Sequence, residues 1–197
     1  MSNTLSSKNG HHHDGPNPTE VATLGFWLYL MTDVILFGCL FATFIVLSNN
    51  VVPYKFDMHL VMKETFILLT SSFTFGLAMI NMHKQRMSSV LFYLSITFLL
   101  GASFIYLEIS EFKHLIHEGN SWSKNAYFSA FFTLVGTHGL HVSFGLLWIV
   151  SMCIQIAMKG INEITIRKLT ILSLFWHFLD IIWIFVFSIV YLIGGLK

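Results

Sequence analysis

Charge is what the sequence has least of. Charged residues make up 11% of the 197-residue chain, against about a quarter in a soluble domain. The formal net charge is +1, so no basic face is available for nucleic acid. Cysteine is scarce too. Cys39 and Cys153 both lie inside apolar runs, which excludes a disulfide framework and a thiolate metal site. The first 22 residues are polar and lack the apolar core of a secretory signal, so no cleaved leader is expected. They carry His11, His12 and His13, a run that suits a solvated tail.

What remains is apolar. Hydrophobic residues are 55% of the chain and mean hydropathy is +0.70. Five runs are long enough to cross about 30 Å of hydrocarbon, at about 24–47, 60–82, 90–110, 126–158 and 169–193. Separated spans of this kind satisfy their backbone groups in lipid only as helices. The expectation is therefore an all-α, five-helix transmembrane bundle over 23–197 behind a polar tail, 1–22. The fourth run, at about 1.5 Å per residue, reaches roughly 50 Å, so it either tilts or leaves the membrane. The connections at 48–59 (with Pro53), 83–89, 111–125 and 159–168 are too short for an extramembrane domain.

With the N-terminus inside, the inner segments carry Lys8, Lys84, Arg86, Lys159, Arg167 and Lys168, and the outer ones Lys55, Lys63, Lys113, Lys124 and Lys197. The counts are close. The second and fourth connections are shortest and densest in positive charge, and short loops weigh most in the positive-inside rule. N-terminus in and C-terminus out follows.

A carboxylate at the centre of a membrane helix costs at least about 2.5–3.5 kcal/mol on insertion scales. Asp33 and Asp180 lie deep in the first and fifth runs. Glu64 and Glu108 lie nearer the ends of the second and third, where reaching the interface lowers the cost. His138, His141 and His177 fall at mid-membrane. His138 and His141 are three apart, as are His177 and Asp180, so each pair shares a helix face. Glu108, Glu111 and His114 repeat that step. Ser129, Thr133, Thr137, His141 and Gly145 form a stripe at every fourth position. Small and hydroxylated residues so spaced let another helix approach, which predicts a packed seam along the fourth helix with His141 in it.

Two uses of the histidines stand on the residues alone. One is ligation, since imidazole is the usual axial ligand of haem iron. His177 facing His138 or His141 would hold one haem, whereas a two-haem cytochrome b needs two pairs well separated in depth. A carboxylate di-metal site needs Glu-x-x-His on two helices and further glutamates on two more, and the chain does not supply them. The other use is hydrogen bonding between helices. Twenty Phe, five Trp and six Tyr suit lipid-facing helices, and Trp27, Trp122 and Tyr191 fall near helix ends as interfacial anchors do.

Several motifs in order resemble one family. GTHGLHV at 136–142 and WHFLDIIWIF at 176–185 resemble the fourth-helix and last-helix signatures of haem–copper oxidase subunit III. LGFWLYLMTDVILF at 24–37 resembles the helix bearing that family's buried carboxylate, and ETFILLTSS at 64–72 and EFKHLIHEG at 111–119 also fit. The resemblance covers the chain from about Pro18 onward. Mitochondrial-type members have seven helices and a glutamate where Asp33 stands, so this chain lacks the first two helices and carries a shorter acid. The five-helix form and LSLFWHFLD at 172–180 look most like the bo-type ubiquinol oxidase branch.

The resemblance implies an accessory subunit of a proton-pumping quinol oxidase in a bacterial inner membrane, with no catalytic residue, cofactor or metal of its own. It implies haem and copper in a partner subunit I, further subunits II and IV, ubiquinol as the donor to the complex, and phospholipid bound between helix groups. Asp33, Glu64, Glu108, His138, His141, His177 and Asp180 are then structural, lipid-related or proton-related polar groups. A cytochrome c oxidase subunit III is the near alternative, and an independent membrane haem or metal protein the distant one.

Overall fold

The computed structural model describes residues 18–48, 58–117 and 125–193. Most of the tail with its histidine run, the loop with Pro53 and Lys55, the loop with Trp122 and Lys124, and Lys197 lie outside the described residues. Five α-helices follow in order: α1 (Pro18–Ser48), α2 (Met58–His83), α3 (Met87–His117), α4 (Ala126–Lys159) and α5 (Glu163–Val186). A π-helical turn, Phe187–Ile193, continues α5. Each of the five is long and apolar enough to span a membrane, and no strand occurs among the described residues.

Three helices extend past the apolar runs, because hydropathy marks the lipid contact and not the end of the backbone hydrogen-bond ladder. α1 begins at Pro18, a residue suited to the first helical position because its missing N–H is unpaired there anyway. α3 continues to His117, so Glu111 and His114 are helical and not in a loop. α5 begins at Glu163, whose charge suits a helix N-terminus. The link between α4 and α5 therefore shrinks to Gly160, Ile161 and Asn162. Gly160 has φ +71° and donates its N–H to Ile156 O at 2.9 Å; a side chain there would be strained. The link between α2 and α3 turns through Gln85 at φ 56°.

α2, α3, α4 and α5 pack as a ring, each touching the next and α5 closing on α2, while α1 lies outside against α4 and α5. α5 is the most enclosed helix. α1 buries one narrow stripe, Leu30, Asp33, Phe37 and Phe44, and leaves Leu24, Leu28, Met31 and Ile35 exposed. Such apolar exposure suits lipid, which removes the usual hydrophobic drive for helix association. Close packing and interhelical hydrogen bonds must hold the ring.

Two tryptophans on α5 do so. Trp176 donates Nε1–H to Ser71 Oγ at 2.9 Å, and Trp183 donates to Thr65 Oγ1 at 3.1 Å. The Trp176 ring lies between Gly101 of α3 and Gly145 of α4, where added Cβ atoms would stand 3.0 Å from it in both cases. Thr74 and Thr97 hydroxyls join α2 to α3 at 2.8 Å. Phe104 meets Trp183 edge-on, ring centroids 4.7 Å apart, a geometry aromatic quadrupoles favour.

Candidate functional site

The polar residues expected at mid-membrane fall into three separate groups. The first joins α1 to α4. His141 Nε2 lies 3.6 Å from Asp33 Oδ2, and its Nδ1 lies 2.8 Å from Thr137 O. Tyr29, one turn before Asp33, also interacts with that carboxylate. Asp33 is buried and His141 partly so.

The second group joins α5 to α2. His177 Nδ1 is 2.7 Å from Ser72 Oγ and 3.7 Å from Asp180 Oδ2. The latter distance makes a weak ion pair, not a hydrogen bond. Asp180 is buried, but the His177 side chain is 43% exposed.

The third group lies where α2 begins and α3 and α5 end. Glu64 and Glu108 were expected to reach toward an interface, yet they are 0% and 4% exposed. Both carboxylate oxygens of Glu64 and Oε1 of Glu108 have no hydrogen-bond partner among the described residues. Helix direction explains the correction: the periodic faces that hold Val61, Leu68, Phe104 and Leu115 inward also carry these glutamates inward. Gly139 of α4 leaves room for Glu108, since a Cβ there would stand 2.6 Å from Oε2. Tyr191 is corrected as well. It is buried and donates to Glu111 Oε2 at 3.3 Å, so it is no interfacial anchor; Trp27, half exposed, keeps a face open to one.

His138 belongs to no group. It is fully buried, its ring faces Phe37, Phe104 and Trp183 at centroid distances of 6.4, 5.9 and 5.2 Å, and neither ring nitrogen has a hydrogen-bond partner among the described residues. These aromatic neighbours occupy the space a haem at His138 would need. His141 and His177 sit in different seams, each engaged by its own aspartate. Among the described residues no group of three or more His, Cys, Asp or Glu is placed to hold a metal ion. The arrangement supplies contacts between helices.

The stripe of small residues on α4 is only half a seam. Gly145 is buried against Trp176 and Phe175, and His141 meets Asp33, but Ser129 and Thr133 are exposed. With Leu40, Thr43 and Leu47 of α1 they line a shallow open groove. At 3.6 residues per turn a row at every fourth residue drifts round α4 by about 40° per step, so its Ser129 end leaves the face on which Gly145 packs. The α2–α5 seam went unseen in the sequence; its signal was the pair Trp176 and Trp183, two turns apart, facing Ser71 and Thr65.

Fold and polar contacts together define a multi-pass helical membrane protein whose buried polar side chains join its helices. A family model described as cytochrome c oxidase subunit III matches residues 5–195. The chain is 50% identical over 193 residues to cytochrome bo(3) ubiquinol oxidase subunit 3 of Pseudomonas aeruginosa, covering 95% of this chain and 92% of the relative. It is 48% identical over 176 residues to quinol oxidase subunit 3 of Bacillus spizizenii, covering 87% and 86%. It is 42% identical over 200 residues to a probable quinol oxidase subunit 3 of Staphylococcus saprophyticus, covering 98% of each. The chain belongs to the cytochrome c oxidase subunit III family, whose members are non-catalytic subunits of respiratory oxidases.

Proposed function

We propose that this chain is the third subunit of a proton-pumping ubiquinol oxidase in a bacterial inner membrane. The observation that carries the reading is similarity over nearly the whole length to quinol oxidase subunits from several genera. In this reading subunit I carries the haems and copper, subunits II and IV complete the complex, and phospholipid fills the surface between helix groups. The open groove of Leu40, Thr43, Leu47 and Thr133 suits an acyl chain.

The N-terminus lies in the cytoplasm and the C-terminus in the periplasm, as the short basic link at Lys84 to Arg86 and the basic residues Lys159, Arg167 and Lys168 on the facing ends of α4 and α5 favour. The seven polar residues, Asp33, Glu64, Glu108, His138, His141, His177 and Asp180, hold the bundle and its protonic surroundings and are not catalytic. Purification through a tag on this chain, followed by oxygen-uptake assays, tests the donor. Ubiquinol should support uptake and reduced cytochrome c should not; uptake with cytochrome c alone would move the chain to the other branch.

A further inference from the structure

His177 is the one mid-span histidine that faces outward. Its helix spans Glu163–Tyr191, so residue 177 stands at the middle, where hydrocarbon would surround any uncovered side chain. Ionisable residues at this depth almost always face protein or a water-filled cavity. Yet 43% of the His177 side chain is exposed. Nδ1 is engaged by Ser72 Oγ at 2.7 Å and approached by Asp180 at 3.7 Å, which leaves Nε2 as the outward nitrogen. Ser72 and Asp180 hold the ring in place, so it cannot retreat without abandoning them.

A second observation lies one turn along α2. At Gly76, four residues after Ser72, an added Cβ would meet nothing within 4 Å, so this face of α2 is open. Small residues at a membrane-facing surface let another helix approach closely. Leu69, Ile181 and Ile184, each about half exposed, share the helix faces of Ser72 and His177 at three- or four-residue spacing.

From this geometry we infer that the α2–α5 face around His177 and Gly76 is a docking site for a transmembrane helix of a neighbouring oxidase subunit. That helix carries a hydroxyl or amide side chain that bonds Nε2. Either tautomer is served, because hydroxyls and amides both donate and accept. The imidazole sets the depth of the partner, Gly76 admits its backbone, and the isoleucines give the apolar contact. The inference rests on the proposed membership of an oxidase complex.

Photo-crosslinking in native membranes tests it. Ile181 is replaced by p-benzoylphenylalanine in one tagged chain and Leu140, 72% exposed on α4, in another, and products are identified by mass spectrometry. Position 181 should capture an oxidase subunit other than this chain, and Leu140 should not. Gly76→Leu and His177→Phe should each lower capture at 181 about tenfold, as loss of one decade of affinity does. Gly38→Leu on α1, where a Cβ also meets nothing within 4 Å, should leave it unchanged. Intact folding of each variant is checked by monodisperse elution. Capture at 181 of only lipid or a second copy of this chain overturns the docking site, as does full capture by both variants. If the unmodified tagged chain recovers no oxidase subunit, the functional reading itself fails and the inference falls with it.

Discussion

Asp33 and His141 show how one intramembrane carboxylate is made tolerable. The two side chains stand 3.6 Å apart across α1 and α4, and removing one partner leaves the other buried and uncompensated. Asp33→Asn and His141→Gln should therefore each lower the thermal stability of the complex, and the double variant should lose less than the sum. Purely additive losses would remove the pair from the account. Asp33→Asn should also keep most oxygen turnover and proton ejection in vesicles; turnover without ejection would make Asp33 a protonic group and not a structural one. Trp176 offers a second test. Trp176→Phe deletes the donor to Ser71 and opens space between Gly101 and Gly145. A cost of about 1–3 kcal/mol is expected, read as a shift in the denaturation midpoint. The positions of Asp33, Asp180 and the histidines well inside long helices were legible from sequence, because place in an apolar run gives place along the helix directly. Which way Glu64 and Glu108 turn was not: that depends on which face of α2 and α3 meets the ring, and a helix apolar all round hides its inward face.

Helices were legible as elements, and their seams were not. α4 illustrates the difference. The four-residue stripe correctly brought Gly145 and His141 to protein contact, but Thr133 and Ser129 open into a groove. Gly145→Leu should push Trp176 away and weaken assembly. Leu146 is no neutral control, since it is 8% exposed and its Cδ2 lies 2.8 Å from where a Gly101 Cβ would stand. Leu147, 70% exposed, supplies one: Leu147→Trp should leave recovery of the complex unchanged, and equal damage from both substitutions would misplace the seam. The π-helical turn was invisible beforehand, because hydropathy does not distinguish an i→i+5 ladder from an α-helix. π turns are often found at functional positions, and this one carries Tyr191 to Glu111.

For the described residues as a whole, five membrane-length helices and the short links at 84–86 and 160–162 put nearly every side chain in the span of a bilayer. The ring of α2 to α5 is closed around tryptophans and aromatic rings, while α1 and the outward surfaces are apolar. The span count was readable from five long apolar runs, and the family and the accessory role from several signatures in order along the chain. The partner-facing surface was not readable, since exposure exists only once helices pack. The most direct test of the accessory role is the purified chain expressed alone. Its absorption spectrum should show no Soret band, and its iron and copper content should be far below one per chain. Stoichiometric haem iron or copper, lost on His177→Ala, would contradict the account and make the intramembrane histidines ligands.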